Sequence, residues 1–139
     1  MQSQTFLTHS EEETIALGRD LAPHLPAGAV LLIGNLGAGK TTLAKGIVEG
    51  RNAGHADDVS SPTFTLIHQH GEVYHIDLYR LDEIREVESL GLDDLFASGS
   101  MVLLEWAERF PGLLPRQRTE IRLRTLPDET REIVVSAVS

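Results

Sequence analysis

Apolar positions follow two patterns along this chain. AVLLI at 29–33 and MVLLE at 101–105 are nearly unbroken apolar runs, the form of strands buried on both faces. Elsewhere apolar and polar residues alternate. TEIRLRTL at 119–126 and REIVVSAV at 131–138 alternate on either side of Pro127-Asp128 and predict a hairpin. TFTLIHQ at 63–69 and EVYHIDLY at 72–79 flank His70-Gly71 and predict a second one. SQTFLT at 3–8 reads as a short edge strand. Helical spacing appears after Ser10, which with Glu13 forms a capping-box pattern starting a helix near Glu11. Leu17, Leu21 and Leu25 share one face of it, and Pro23 and Pro26 end it. TLAKGIVEG at 42–50 reads as a helix with Leu43 and Ile47 inward. Small and polar residues at 51–62 predict a loop. Asp82 is placed to cap a helix through Leu90, with Gly91 as its stop. The order predicts an α/β fold: a mixed β-sheet flanked by helices, with antiparallel hairpins added.

The first apolar run leads straight into GNLGAGKT at 34–41, a full match to G-x-x-x-x-G-K-[ST]. A buried strand before it and a helical pattern after it are the context in which this motif binds phosphate. The glycines let the backbone curl so that its N–H groups point inward, and the following helix adds its positive dipole end. Lys40 is positioned for the β- and γ-phosphates, and the Thr41 hydroxyl for magnesium. The fold expectation sharpens to a P-loop NTPase-like sheet. No Asn-Lys-x-Asp guanine-reading motif surrounds Lys40 or Lys45, the only lysines, so ATP is expected rather than GTP.

Two acids end strand-like segments. A metal-side acid stands at the C-terminal end of a strand beside the phosphate loop, where the crevice of such a sheet opens. MVLLE has the form of an interior strand, so Glu105 is the expected metal carboxylate. VYHID is more amphipathic, as in a hairpin strand, and leaves Asp77 as a second acid that holds a metal-bound water or orients the attacking one. The competing reading of Asp77 is a turn cap or a salt bridge to Arg80.

Composition narrows the function. The chain has 139 residues, the size of one domain, and a net charge of −9. That charge argues against a broad nucleic-acid face. Arg116, Arg118, Arg122 and Arg124 are a local exception, read as the solvated side of a strand. The absence of cysteine rules out a disulfide framework or a cysteine-ligated zinc. No apolar run spans a bilayer and no signal peptide is visible, so a cytoplasmic location is expected.

GNLGAGKTTLAKG, SPTFTL, HIDLYRL and LLEWAER occur in this order and spacing, and together they resemble the TsaE (YjeE) family. Those are small bacterial ATPases of the machinery that makes threonylcarbamoyladenosine in tRNA. The resemblance spans nearly the whole chain. It implies binding of ATP and magnesium, partnership with TsaB and TsaD, and contact with tRNA through the complex. It implies slow hydrolysis in isolation and support of repeated threonylcarbamoyl transfer. Carried onto this chain, nucleotide binding falls to Asn35, Leu36, Gly37, Ala38, Gly39, Lys40, Thr41 and Thr42, and hydrolysis to Asp77 and Glu105. Trp106 belongs to the same motif as Glu105, and residues 60–65 form a switch-like loop with Thr63 as a γ-phosphate or metal contact. Asn35 stands where the family commonly has Asp, and EWAER lacks a proline often found after the tryptophan.

Other residues carry weaker signals. His68, His70 and His75 lie together on the expected hairpin, as zinc ligands or as a polar strand face. Arg80 is a candidate for stabilising γ-phosphoryl charge or for pairing with Asp77 or Glu83. Two other function classes fit a phosphate loop. A small-molecule kinase would need an acceptor pocket and a lid, for which only the 51–62 loop and the Arg80–Arg85 region are available. A nucleotide-gated binding module would bind without turnover.

Overall fold

The computed structural model describes residues 3–35, 37–52, 54–56, 59 and 67–139. Its strands are β1 (Ser3–Thr8), β2 (Gly28–Ile33), β3 (Ile67–His70), β4 (Val73–Asp77), β5 (Met101–Glu105), β6 (Arg118–Thr125) and β7 (Arg131–Val138). They form one seven-stranded sheet in the order β1-β7-β6-β2-β5-β4-β3. The four central strands, β6, β2, β5 and β4, run parallel, and β1, β7 and β3 are added antiparallel. The helices are α1 (Glu11–Leu21), α2 (Lys40–Gly50), α3 (Ile84–Glu88) and α4 (Leu92–Ala97). Mixed α/β architecture is therefore as the patterning predicts.

Strand β2 shows why its apolar run is unbroken. Val30 and Leu32 pack with Leu43, Ala44 and Ile47 of α2, while Ala29 and Leu31 pack with Val87 of α3 and Leu92 of α4. Both faces are covered, so no position on the strand favours a polar residue. On β6 only one side is covered. Ile121 and Leu123 are buried, whereas Arg122 and Arg124 are exposed and pair with Glu120 and Glu132, so the arginine row is a solvated strand face.

Helices α1 and α2 touch backbone to backbone. A Cβ on Gly18 would lie 2.5 Å from the Leu43 carbonyl oxygen, and one on Gly46 would collide with the Ile15 carbonyl. This contact brings the N-terminal corner of α1 beside the start of α2, where the phosphate loop ends. Ser10 caps α1 by accepting from Glu13 N at 3.1 Å. The Glu13 carboxylate accepts from His9 N rather than Ser10 N, so the capping box is half formed.

Three boundaries differ from the sequence reading. His70 pairs with Val73, so the β3–β4 turn is Gly71-Glu72 and not His70-Gly71; Gly71 takes the left-handed position at φ +59°. Glu83 rather than Asp82 is the N-cap of the helix after β4, and Asp82 lies 3.7 Å from Arg109. That helix stops at Glu88, and Gly91, at φ +69°, leads into α4. Helix α4 has six residues, too few to display a helical period in the sequence. No helix among the described residues is long and apolar enough to cross a membrane.

Candidate functional site

Strand β2 ends at Ile33 and the chain turns through the phosphate loop into α2. Gly37 and Gly39 take φ of +81° and +104°, conformations that disfavour side chains. The Ala38 side chain is buried in the core and anchors the loop from below. Lys40, the first residue of α2, is 5% exposed, and its Nζ has no hydrogen-bond partner among the described residues. Nζ rests 3.4 Å from the centroid of the Trp106 ring. Burial holds its pKa below the ordinary lysine value, an effect opposed by the charges of Glu105, Glu108 and Asp77.

Both acids lie next to this lysine. β5 is the parallel neighbour of β2, with Glu105 beside Leu32, and β4 follows, with Asp77 beside Glu105. The two carboxylates thus stand at one level, at the C-terminal ends of adjacent strands. Glu105 accepts from Thr41 Oγ1 at 3.1 and 3.3 Å and lies 2.5 Å from His75 Nε2. Asp77 Oδ1 accepts from Tyr79 N at 2.8 Å, so this acid does serve its own turn. The strand pairs antiparallel with β3, as a hairpin strand should, but it is not amphipathic. β4 lies inside the sheet, and Val73, His75, Ile76 and Asp77 are all buried.

Past the acids, the chain is held tightly. Trp106 opens a 3-10 turn at φ +67°, a left-handed conformation costing on the order of 1–3 kcal/mol for a non-glycine residue. Arg109 in that turn donates to the carbonyls of Tyr79 (2.5 Å) and Leu78 (3.4 Å), tying the exit of β4 to that of β5. The Tyr79 and Trp106 rings lie 5.0 Å apart.

These groups share an open cavity of about 700 Å³. Gly37, Gly39, Lys40, Thr41 and Thr42 form one wall, Asp77, Glu105 and Trp106 the base, and Tyr79 and Arg80 a rim. His9, Ser10, Glu11 and Thr14 from the β1–α1 corner and Thr125, Glu129 and Arg131 from the β6–β7 hairpin also line the cavity. Arg131 also donates to Thr125 Oγ1 (2.9 Å) and to the Gly37 carbonyl (3.4 Å).

A family model described as "Threonylcarbamoyl adenosine biosynthesis protein TsaE" matches residues 8–133. The chain belongs to the TsaE family. A Bacillus subtilis protein named tRNA threonylcarbamoyladenosine biosynthesis protein TsaE is 39% identical to it, covering 99% of this chain and 88% of that one. A Rickettsia bellii protein of the same name is 40% identical, with 94% and 92% covered. The crystal structure of Bacillus subtilis YdiB superposes with a TM-score of 0.80 at 32% identity, covering 99% of this chain and 87% of that one.

Within this TsaE-family fold, the residues singled out in the sequence separate into groups. Gly37, Gly39, Lys40, Thr41, Thr42, Asp77, Arg80, Glu105 and Trp106 all line the cavity. Asn35 is exposed and does not line it, and Ala38 contributes its side chain to the core instead. Leu36 and the 60–65 segment with Thr63 lie outside the described residues. No group of three metal-ligating side chains occurs among the described residues, and His75 turns to Glu105. Sequence reasoning missed the bond between His75 and Glu105. The alternation of β4 already puts His75 on the side of Asp77, but only the strand order brings Glu105 to it. It also missed Arg131 and the α1 corner, which reach the cavity from distant positions in the chain.

Proposed function

We propose that this chain is a magnesium-dependent ATPase that serves threonylcarbamoyladenosine modification of tRNA in the cytoplasm, acting with TsaB and TsaD. The observation that carries the ATPase reading is the Lys40 ammonium. It is buried at the end of the phosphate loop, without a hydrogen bond among the described residues, and lines an open cavity with Thr41, Asp77 and Glu105. A buried cation in that state is costly unless an anion completes it. The donors around it suit a phosphate chain: loop backbone N–H groups, the N-terminus of an 11-residue helix, and Lys40 itself. The pairing of Thr41 Oγ1 with Glu105 supplies the hard oxygen donors that suit magnesium. Bound by these two residues, the ion would neutralise charge on the phosphate oxygens.

The remaining roles belong to the protein. Lys40 leaves the Trp106 ring to bind β- and γ-phosphate oxygens. Asp77 accepts a hydrogen bond from the attacking water and orients it toward the γ-phosphorus. Water oxygen bonds to phosphorus as the bond to the β–γ bridging oxygen breaks, giving ADP and phosphate. Arg80, at the rim, neutralises charge on the transferred group. Ser10 and Arg131 line the same cavity, whose volume of about 700 Å³ has room for the nucleoside. Family membership and the relatives' names support the tRNA-modification role. With a net charge of −9, tRNA contact runs through the partners.

Phosphate release from ATP tests this reading. Hydrolysis is expected to be slow for the isolated chain and to change when TsaB and TsaD are added. Unchanged hydrolysis, together with no complex on gel filtration, contradicts it. Transfer of phosphate to an acceptor instead of water would make the chain a kinase.

A further inference from the structure

His75 has no role in the steps above, yet it is 0% exposed and its Nε2 lies 2.5 Å from Glu105 Oε2. Its other ring nitrogen, Nδ1, is buried without a hydrogen bond among the described residues. That asymmetry decides the tautomer. A proton on Nδ1 would leave a buried donor unsatisfied, which is costlier than a bare lone pair at an imidazole nitrogen. The proton therefore belongs on Nε2, and His75 donates to Glu105. The same carboxylate accepts from Thr41 at the start of α2. Glu105 is thus held from two sides, by β4 and by α2. Only the Thr41 hydroxyl must turn away for an ion to enter between Thr41 and Glu105; the bond from β4 can persist.

We propose that His75 is a positioning residue. Its Nε2–H fixes the Glu105 carboxylate in the orientation that binds a divalent cation next to Thr41, in the way that outer hydrogen bonds orient metal-binding carboxylates. This rests on the reading of Glu105 as the metal-side acid. His75 touches neither nucleotide nor water. Its loss therefore weakens the divalent ion's contribution and leaves nucleotide binding without metal alone.

The test follows Trp106, the single tryptophan, by fluorescence. A non-hydrolysable ATP analogue is titrated in EDTA, and Mg²⁺ is then titrated at fixed analogue. Wild type is compared with His75→Gln, whose amide reaches about as far as Nε2, with His75→Asn, which is one methylene shorter, and with His75→Leu. Thermal melts report folding. The expected result is metal-free affinity within about twofold of wild type throughout. The Mg²⁺ half-saturation should rise about tenfold or more in His75→Asn and His75→Leu and stay near wild type in His75→Gln. If His75→Leu does not fold, the Gln and Asn pair decides. Equal Mg²⁺ dependence in Gln and Asn, or a loss confined to metal-free affinity, overturns the proposal. A wild-type protein whose analogue binding ignores Mg²⁺ would instead contradict the metal site itself.

Discussion

Asp77 and Glu105 end adjacent parallel strands, face each other in register, and are 8% and 3% exposed. Position in the sheet does not separate them; the hydrogen bonds they make among the described residues differ. Glu105 is held from other elements, by Thr41 at the head of α2 and by His75 on β4. Asp77 accepts from Tyr79 N, two residues further along its own chain, where the exposed Tyr79 and Arg80 begin the rim. Under the proposed function, the bond from Thr41 makes Glu105 the acid that shares an ion with that threonine. Asp77, which accepts from Tyr79 N, is under the same proposal the acid that orients water. The lesson is that a carboxylate at the end of a strand takes its role from what binds it.

Breaking each side of this comparison should produce effects of different size and kind. Glu105→Ala is expected to lower the hydrolysis rate most, by about a hundredfold or more, the scale for losing a group that offsets developing charge. Phosphate release at saturating ATP and Mg²⁺ measures it. Asp77→Asn keeps the bond to Tyr79 N and should cost about a hundredfold in turnover, with analogue affinity unchanged. Equal loss of affinity and turnover would place Asp77 in binding instead.

Lys40→Met sharpens the shared surroundings of both acids. Losing charge-assisted bonds to phosphate should weaken nucleotide binding about ten- to hundredfold. Without ligand the sign reverses. Burial lowers the folded-state pKa of Lys40, so the folded protein binds fewer protons than the unfolded chain between that value and 10.5. The penalty is full below that window and fades as pH rises through it. Nucleotide-free Lys40→Met should therefore melt higher than wild type at neutral pH, with the gap closing toward pH 10.5, as calorimetric melts across pH would show.

Arg109→Met should have the smallest effect. It releases the carbonyls of Leu78 and Tyr79, loosening the turn that holds Asp77 while leaving the partners of Glu105 in place. Turnover should fall severalfold, with the Mg²⁺ half-saturation unmoved.

Much of this was legible in the residues, for identifiable reasons. AVLLI is apolar throughout because helices cover both faces of β2, and the run leads straight into the glycine loop and Lys40 that line the cavity. MVLLE reads as an interior strand for the same reason. VYHID does form a hairpin strand, but its amphipathic look misled: Tyr74 and Ile76 face one way and Val73, His75 and Asp77 the other, yet both sides are covered. A buried histidine bonded across strands looks, in the sequence, like a polar position facing water. Helix α4 has too few residues to show a period. Residues 9–14 and 125–131 reach the cavity from distant parts of the chain, through the packing of α1 on α2, the pairing of β6 with β2 and Arg131.

The division of labour between the two acids is tested most directly by calorimetric titration of a non-hydrolysable ATP analogue, with and without Mg²⁺, on Glu105→Ala and Asp77→Ala beside wild type. The account predicts that Glu105→Ala loses the gain in affinity that Mg²⁺ gives wild type, while Asp77→Ala retains it and fails only to hydrolyse ATP. Loss of that gain in Asp77→Ala with its retention in Glu105→Ala would contradict the account.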